Sequence, residues 1–196
     1  MIAPGPVTLE GRHVRLLPLS LDHLEGLSTV GLDPELWKWI PSPVLDRQGM
    51  KDYVETALDE QRRGVSVPFT NSLKEGGRIV GCTRYANISV RDGRLEIGWT
   101  WIGKAWQRSA VNTEAKYLML KHAFEVLGCM RVELKTDGLN EKSRNAILRI
   151  GAKQEGIFRK HMMTSTGRIR DTVYFSILDN EWPEVKAGME ARLTRA

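Results

Sequence analysis

The sequence predicts a single α+β domain, residues 1–196, built on a mostly antiparallel twisted sheet of about seven strands flanked by helices. Three observations predict it. A chain of 196 residues, 41% hydrophobic and 27% charged, suits one sizeable core. Short alternating runs bounded by turn residues are interleaved with stretches of helical period, in the order β, α, α, β, β, β, α, β, α, β, β, α. No internal repeat, low-complexity tract or interdomain linker interrupts them.

From Val7 to Leu19 apolar and basic residues alternate as far as Pro18, predicting an opening strand. Asp22 is the expected cap of a first helix reaching Gly31, with Leu24, Leu27 and Val30 inward. The following stretch, Asp33 to Pro43, is broken by prolines and carries Trp37 and Trp39, which either pack on the core or line a substrate mouth. Asp46 opens a second helix, Arg47 to Gly64, with Met50, Tyr53, Val54, Ala57 and Leu58 at helical spacing. Three strands then form a meander, Pro68 to Leu73, Arg78 to Ile88 and Arg94 to Ile102, with turns at Lys74–Gly77 and Arg91–Gly93. A loop, Gly103 to Val111, leads into a helix from Asn112 to Val126, capped by Asn112 and ended by Gly128. Its stripe of Ala115, Leu118, Met119, Ala123 and Val126 faces the core, leaving Glu114, Lys116, Lys121 and Glu125 toward solvent. Arg131 to Asp137 is a strand in which Val132, Leu134 and Thr136 alternate with charges. A helix over Glu141–Gly151 follows, then strands over Lys153–His161 and Thr172–Leu178, and a short polar tail helix begins near Trp182.

Composition excludes several classes. No run of 18 apolar residues occurs, and the opening segment lacks the apolar core of a signal peptide, so no membrane partner and a cytoplasmic location are expected. The net charge of +5 is dispersed, without a block of like charges or a recognised binding motif, so direct nucleic-acid binding is not expected. Cys82 and Cys129 have no C-x-x-C spacing or nearby histidine pattern and are expected to be buried packing residues, with no metal site. His122, among aliphatic residues on the long helix, reads as structural.

The strand–loop–helix stretch from Leu95 to Leu127 organises the chain. Free backbone N–H groups at a helix N-terminus suit a phosphate or pyrophosphate, and Lys104 and Arg108 add positive charge there. Neither G-x-G-x-x-G nor G-K-[ST] is present in this loop, which argues against NAD and ATP. The segment Gln107, Arg108, Ser109, Ala110, Val111, Asn112 resembles the Q/R-x-x-G-x-G/A pyrophosphate loop of the GNAT superfamily of N-acyltransferases. With Glu96–Trp101 before it and Thr113 onward after it, the run looks most like the RimJ/RimL-like branch. It departs from the pattern at Ala110 and Asn112, where the family commonly has glycine. A second stretch, Asn140 to Gly156, resembles the family's N-x-x-S pattern, with Asn140, Ser143, Gly151 and Ala152 at matching positions.

The resemblance implies acetyl-CoA as cofactor, a splayed pair of strands at its site, and direct acetyl transfer to a primary amine, either a protein N-terminus or a small molecule. A non-catalytic acyl-CoA-binding or regulatory domain is the alternative. The cofactor residues so implied are Trp101 and Ile102, through main-chain groups, the loop from Gln107 to Thr113, and Asn140, Ser143 and Arg144. Ser143 would protonate the thiolate, its plainer role being that of a helix-start residue. Asn140 would hold pantetheine or simply form the turn. Glu96 either takes a proton from the acceptor through water, holds its charge, or is a strand-surface carboxylate. Strand alternation sets Glu96, Gly98 and Thr100 on one face, against Ile97, Trp99 and Trp101 on the other. Trp37, Trp39, Arg84, Glu96, His161 and Asp171 are the candidate acceptor-binding residues, and a homodimer is compatible with the sequence.

Overall fold

A computed structural model describes residues 2–40 and 42–195. The strands are β1 (Leu9–Glu10), β2 (Val14–Pro18), β3 (Val67–Leu73), β4 (Ile79–Ser89), β5 (Arg94–Ile102), β6 (Arg131–Asp137), β7 (Lys153–Met163) and β8 (Ile169–Leu178). The helices are α1 (Leu24–Gly31), α2 (Arg47–Arg62), α3 (Ala110–Lys121), α4 (Glu141–Arg149) and α5 (Trp182–Thr194). One sheet of eight strands runs β1-β2-β3-β4-β5-β6-β8-β7. Neighbours are antiparallel except β5 and β6, which are parallel because α3 crosses between them.

Each face of the sheet buries its own core. On one face Leu16, Phe69, Tyr85, Leu95, Val132, Leu134 and Phe175 meet Ala115, Met119 and Leu120 of α3, Ile147 of α4 and Met189 of α5. On the other, Leu27 of α1 and Met50, Val54 and Ala57 of α2 pack with Trp37, Cys82 and Trp101. The tail helix is longer than its polarity suggests and is held from inside: the Trp182 ring stacks on Phe124 at 5.4 Å, and its Nε1 donates to Glu125 Oε1 at 2.9 Å.

Several expectations are corrected. The opening strand is two strands, giving eight in all, because Gly11 turns the chain and donates to the Val14 carbonyl at 2.9 Å. Ser20, rather than Asp22, caps the first helical segment, accepting from the Asp22 N–H at 3.1 Å. Ser109, rather than Asn112, caps α3, and beyond Lys121 the helix continues as a wider π turn over His122–Val126 before Gly128 ends it at φ +69°.

Glu114 and Lys116 are also buried, where helical period put them in solvent. The β1–β2 turn folds across α3, and the Glu114 carboxylate accepts the N–H groups of Arg12, His13 and Val14 at 2.8, 2.7 and 2.8 Å. The contact is close enough that a Cβ on Gly11 would lie 2.4 Å from the Glu114 carboxyl carbon. Removing this acceptor leaves three donors without their partner. Glu114→Ala is expected to lower unfolding stability by about 3 kcal/mol, measured by urea denaturation, with a loss under about 0.5 kcal/mol counting against the bracing role.

Candidate active site

The site begins where a ladder stops. Beta5 and β6 pair only through Arg94–Arg131, Leu95–Val132 and Glu96–Glu133. Beyond Glu96 the two strands part, so the edge of β5 from Ile97 to Ile102 has no strand partner on that side. Alpha3 follows the C-terminal end of β5 and α4 follows that of β6, so both helix N-termini open on one edge. Such a crevice, beyond the carboxyl ends of parallel strands, is where mixed sheets bind ligands.

A bulge then reorients β5. Cys82 pairs with Trp101 and Arg84 with Gly98, so the one β4 residue between them, Thr83, faces two of β5, Trp99 and Thr100, and Trp99 sits at φ +47°, a strained value for a bulky residue. The predicted alternation fails there. Ile97 belongs to the α3-side core, whereas Trp101 joins the α1–α2 core and Thr100 turns toward α3. Glu96 and Trp99 therefore share the α1–α2 face. Periodicity cannot anticipate a bulge.

At the loop, Gln107 spends its side chain internally, donating from Nε2 to the Ile102 carbonyl at 3.0 Å. Ser109 Oγ accepts from the Val111 N–H at 3.3 Å and donates to the Trp106 carbonyl at 2.7 Å. Arg108 is exposed and, at φ +63°, takes the loop's left-handed residue. Ala110 and Asn112 lie inside α3, where neither needs glycine's freedom. Asn112 Oδ1 is buried with no hydrogen-bond partner among the described residues, and Thr113 is half-buried beside it in the first turn.

At the second helix start, the cap is Asn140, whose Oδ1 accepts the Ser143 N–H at 3.1 Å. Arg144 Nη1 donates to the Gly138 carbonyl at 3.2 Å and ties down the turn. Ser143 Oγ, half-buried, makes no hydrogen bond to a described residue, so the capping role that its position allowed belongs to Asn140.

The α1–α2 face of the opening is polar. Glu96, 2% exposed, receives Asn87 Nδ2 at 2.7 Å and Lys135 Nζ at 2.9 Å, both on Oε2. Its other oxygen lies over Gly98, where a Cβ would come within 2.8 Å of Oε1. Arg84 pairs with Glu60 at 2.9 Å and lies over the rings of Tyr53 and Trp99, at 5.0 and 5.3 Å. Lys135 lies over Trp99 and Tyr174, and His161 packs edge-on against Phe158 and Tyr174. Trp39 lies beside Arg168, which with Arg170 faces Asp137 at the end of β6.

Of the predicted acceptor residues, Trp39, Arg84, Glu96 and His161 thus border one face. Trp37 does not. It is 2% exposed, donates to the Gly31 carbonyl at 2.6 Å, and packs against Tyr53 and Trp101. The indole of Trp101 is likewise core, leaving only its main chain to the opening. Asp171 alternates to the face opposite Arg170 and Thr172, and its carboxylate accepts the Lys160 N–H at 2.7 Å. Sequence reasoning missed Lys135, Asp137, Arg168, Arg170 and Tyr174. The alternation of charges in β6 was a visible signal for the first two; for Arg168 and Arg170 only the hairpin pairing supplies one.

The comparisons agree with this geometry. A profile of the acetyltransferase (GNAT) domain matches residues 13–153. The chain is 32% identical over 134 residues to YdaF of Bacillus subtilis (strain 168), whose name assigns it provisionally to the ribosomal N-acetyltransferases, covering 66% of this chain and 71% of YdaF. It superposes on a GCN5-related N-acetyltransferase from Brucella melitensis with a TM-score of 0.89 at 34% identity, covering 97% and 86% of the two chains. Mycobacterium smegmatis RimJ, in complex with CoA-disulfide, shares the fold with a TM-score of 0.84 at 22% identity, covering 95% of each chain. The fold and its open edge define an acyltransferase. The chain belongs to the GNAT acetyltransferase family, in its RimJ/RimL-like branch.

The family's cofactor is acetyl-CoA, and the residues present fit it. The first turn of α3, the exposed Arg108 and the unpartnered edge of β5 together offer main-chain donors and a cation. Among the described residues no helix is long and apolar enough to cross a membrane.

Behind the bulge lies a buried lysine. Lys116 Nζ donates to Thr100 Oγ1 at 2.6 Å and to Thr83 Oγ1 at 3.4 Å, and the two hydroxyls are 2.7 Å apart. Burial drives its pKa down to about 7, against a smaller opposing pull from Glu96. A folded pKa below the unfolded value means that the unfolded chain binds the extra proton, so stability should rise as pH increases from about 7 toward about 10. Urea titrations of the protein and of Lys116→Met should show this rise in the former only. Parallel pH profiles would contradict the buried titration.

Proposed function

We propose that residues 1–196 act as one cytoplasmic acetyltransferase domain that transfers acetyl directly to a primary amine, either a protein N-terminus or a small-molecule amine. The observation that carries this reading is the uncommitted Ser143 hydroxyl at the α4 start, on the edge where α3 also begins. When bound, acetyl-CoA supplies the acetyl group as a thioester.

The chain's own residues would do the rest. The first turn of α3, with Arg108, holds the pyrophosphate. Main-chain donors of β5 beyond Glu96 orient the thioester carbonyl and stabilise negative charge that develops on its oxygen. Glu96, with Oε2 held by Asn87 and Lys135 and Oε1 beside Gly98, would take a proton from the acceptor's ammonium, directly or through water, so that the neutral amine can attack; the nitrogen proton released after the C–N bond forms would pass to solvent. Ser143 would relay a proton to the departing thiolate as the C–S bond breaks, its own hydroxyl proton being replaced from solvent. Trp39, Arg84 and His161 border the acceptor.

The test is thiol release from acetyl-CoA over a panel of amines and peptides. Ser143→Ala is expected to lower kcat by about two to four powers of ten. Its melting temperature and acetyl-CoA affinity should stay close to those of the parent, since Asn140 retains the cap. Undiminished turnover in Ser143→Ala would remove the serine from the chemistry.

A further inference from the structure

The acceptor face carries an imbalance of charge at the end of β6. Asp137, 1% exposed, accepts the Leu139 N–H at 2.9 Å through Oδ1 and faces two guanidiniums through Oδ2: Arg168 in direct contact and Arg170 at 3.9 Å. Arg170 is 5% exposed, and its remaining contacts are neutral: Thr172 Oγ1 at 3.1 Å and, weakly, the Trp39 carbonyl at 3.5 Å. Burial pulls the Arg170 pKa below its usual value, Asp137 opposes this, Arg168 adds to it, and Glu96 and Tyr174 oppose it more weakly.

The neighbouring charges are already matched. Arg84 pairs with Glu60 and Lys135 with Glu96, each at 2.9 Å. Two guanidiniums on one carboxylate therefore leave one positive charge in excess, and Lys38, over Trp39 at 5.5 Å, adds to it. A buried charge without its own counterion is destabilising unless something else supplies one. The excess lies at the acceptor mouth, near the α4 start, and a guanidinium's planar fork matches a carboxylate.

We infer that the acceptor carries a carboxylate as well as its amine, and that Arg170 and Arg168 hold that carboxylate while the amine lies at Glu96. This rests on the acetyl transfer proposed above. Lys135, which pairs with Glu96, and Asp137, which faces Arg168 and Arg170, are two residues apart on β6 with Cα atoms about 7 Å apart, so the two ends of the acceptor are held by neighbouring positions on one strand face. That placement fits a dipeptide-sized amino acid, or an N-terminus with an acidic side chain close behind it. A polyamine or a polycationic antibiotic is disfavoured by the same charge.

Matched acceptors test it. Alanylglycine is compared with alanylglycinamide, and a peptide amide having glutamate at its second position with the same peptide having glutamine. In the source that applies, the acidic member should have a KM about ten-fold or more lower, the scale of one charge-assisted hydrogen bond. Arg170→Gln and the less buried Arg168→Gln should each raise that KM toward the neutral partner's, by a larger factor than they raise the neutral partner's own. Arg170→Lys, which keeps the charge but loses the fork, should restore part of the preference. Equal use of acidic and neutral members in both pairs overturns the inference while leaving acetyl transfer standing. If no amine in either pair or in the wider panel turns over, the reading beneath it fails and takes this inference with it.

Discussion

The early end of the β5–β6 ladder is the constraint from which the rest of the site follows. Three register pairs join the strands, and then Glu96 and Glu133 are the last to face each other. A continued ladder would satisfy the inner edge of β5 and close the space between the two helix starts. Because it stops, main-chain groups that a sheet would normally consume stay available, at an edge shared with two positive helix ends. Glu96, fixed at the point of divergence, lies where the opening begins.

Helix α3 holds this opening in place from behind. Glu114 gathers three N–H groups of the β1–β2 turn, and Lys116 reaches through to the hydroxyls of Thr83 and Thr100 on either side of the bulge. Both are polar side chains withdrawn from water, and each is tolerated because fixed partners replace the solvent. The strained Trp99 thus lies beside the Thr83–Thr100–Lys116 hydrogen bonds on one face and under the guanidinium of Arg84 and the ammonium of Lys135 on the other. Both cysteines are buried and free, consistent with packing, and His122 stacks on Tyr85.

Local patterns made much of this legible. The bounds of β5 and β6, the start of α2 and the stop at Gly128 followed from alternation, caps and glycine chemistry, and the loop and α4 motifs carried the family resemblance. What failed involved distant parts of the chain. Glu114 and Lys116 lie on what helical period makes a solvent face, and only the β1–β2 turn and the two threonines, far away in sequence, bury them. Of the two roles open to Trp37, core packing holds and the substrate mouth does not, and nothing local announces that Tyr53 and Trp101 enclose it. The bulge at Trp99 hid which tryptophan faces the acceptor. Arg168 and Arg170 became part of the site only through the pairing of β8 with β6.

The central claim, that the unpaired edge of β5 and the first turn of α3 form the cofactor site, is tested most directly by amide hydrogen exchange with and without saturating coenzyme A. The account predicts slowed exchange confined to Ile97–Ile102, the loop and first turn from Arg108 to Thr113, and the α4 start, with Arg94–Glu96 already protected by β6 and unchanged. Coenzyme A that left Ile97–Ile102 unaffected, or protected only surfaces remote from it, would contradict the account.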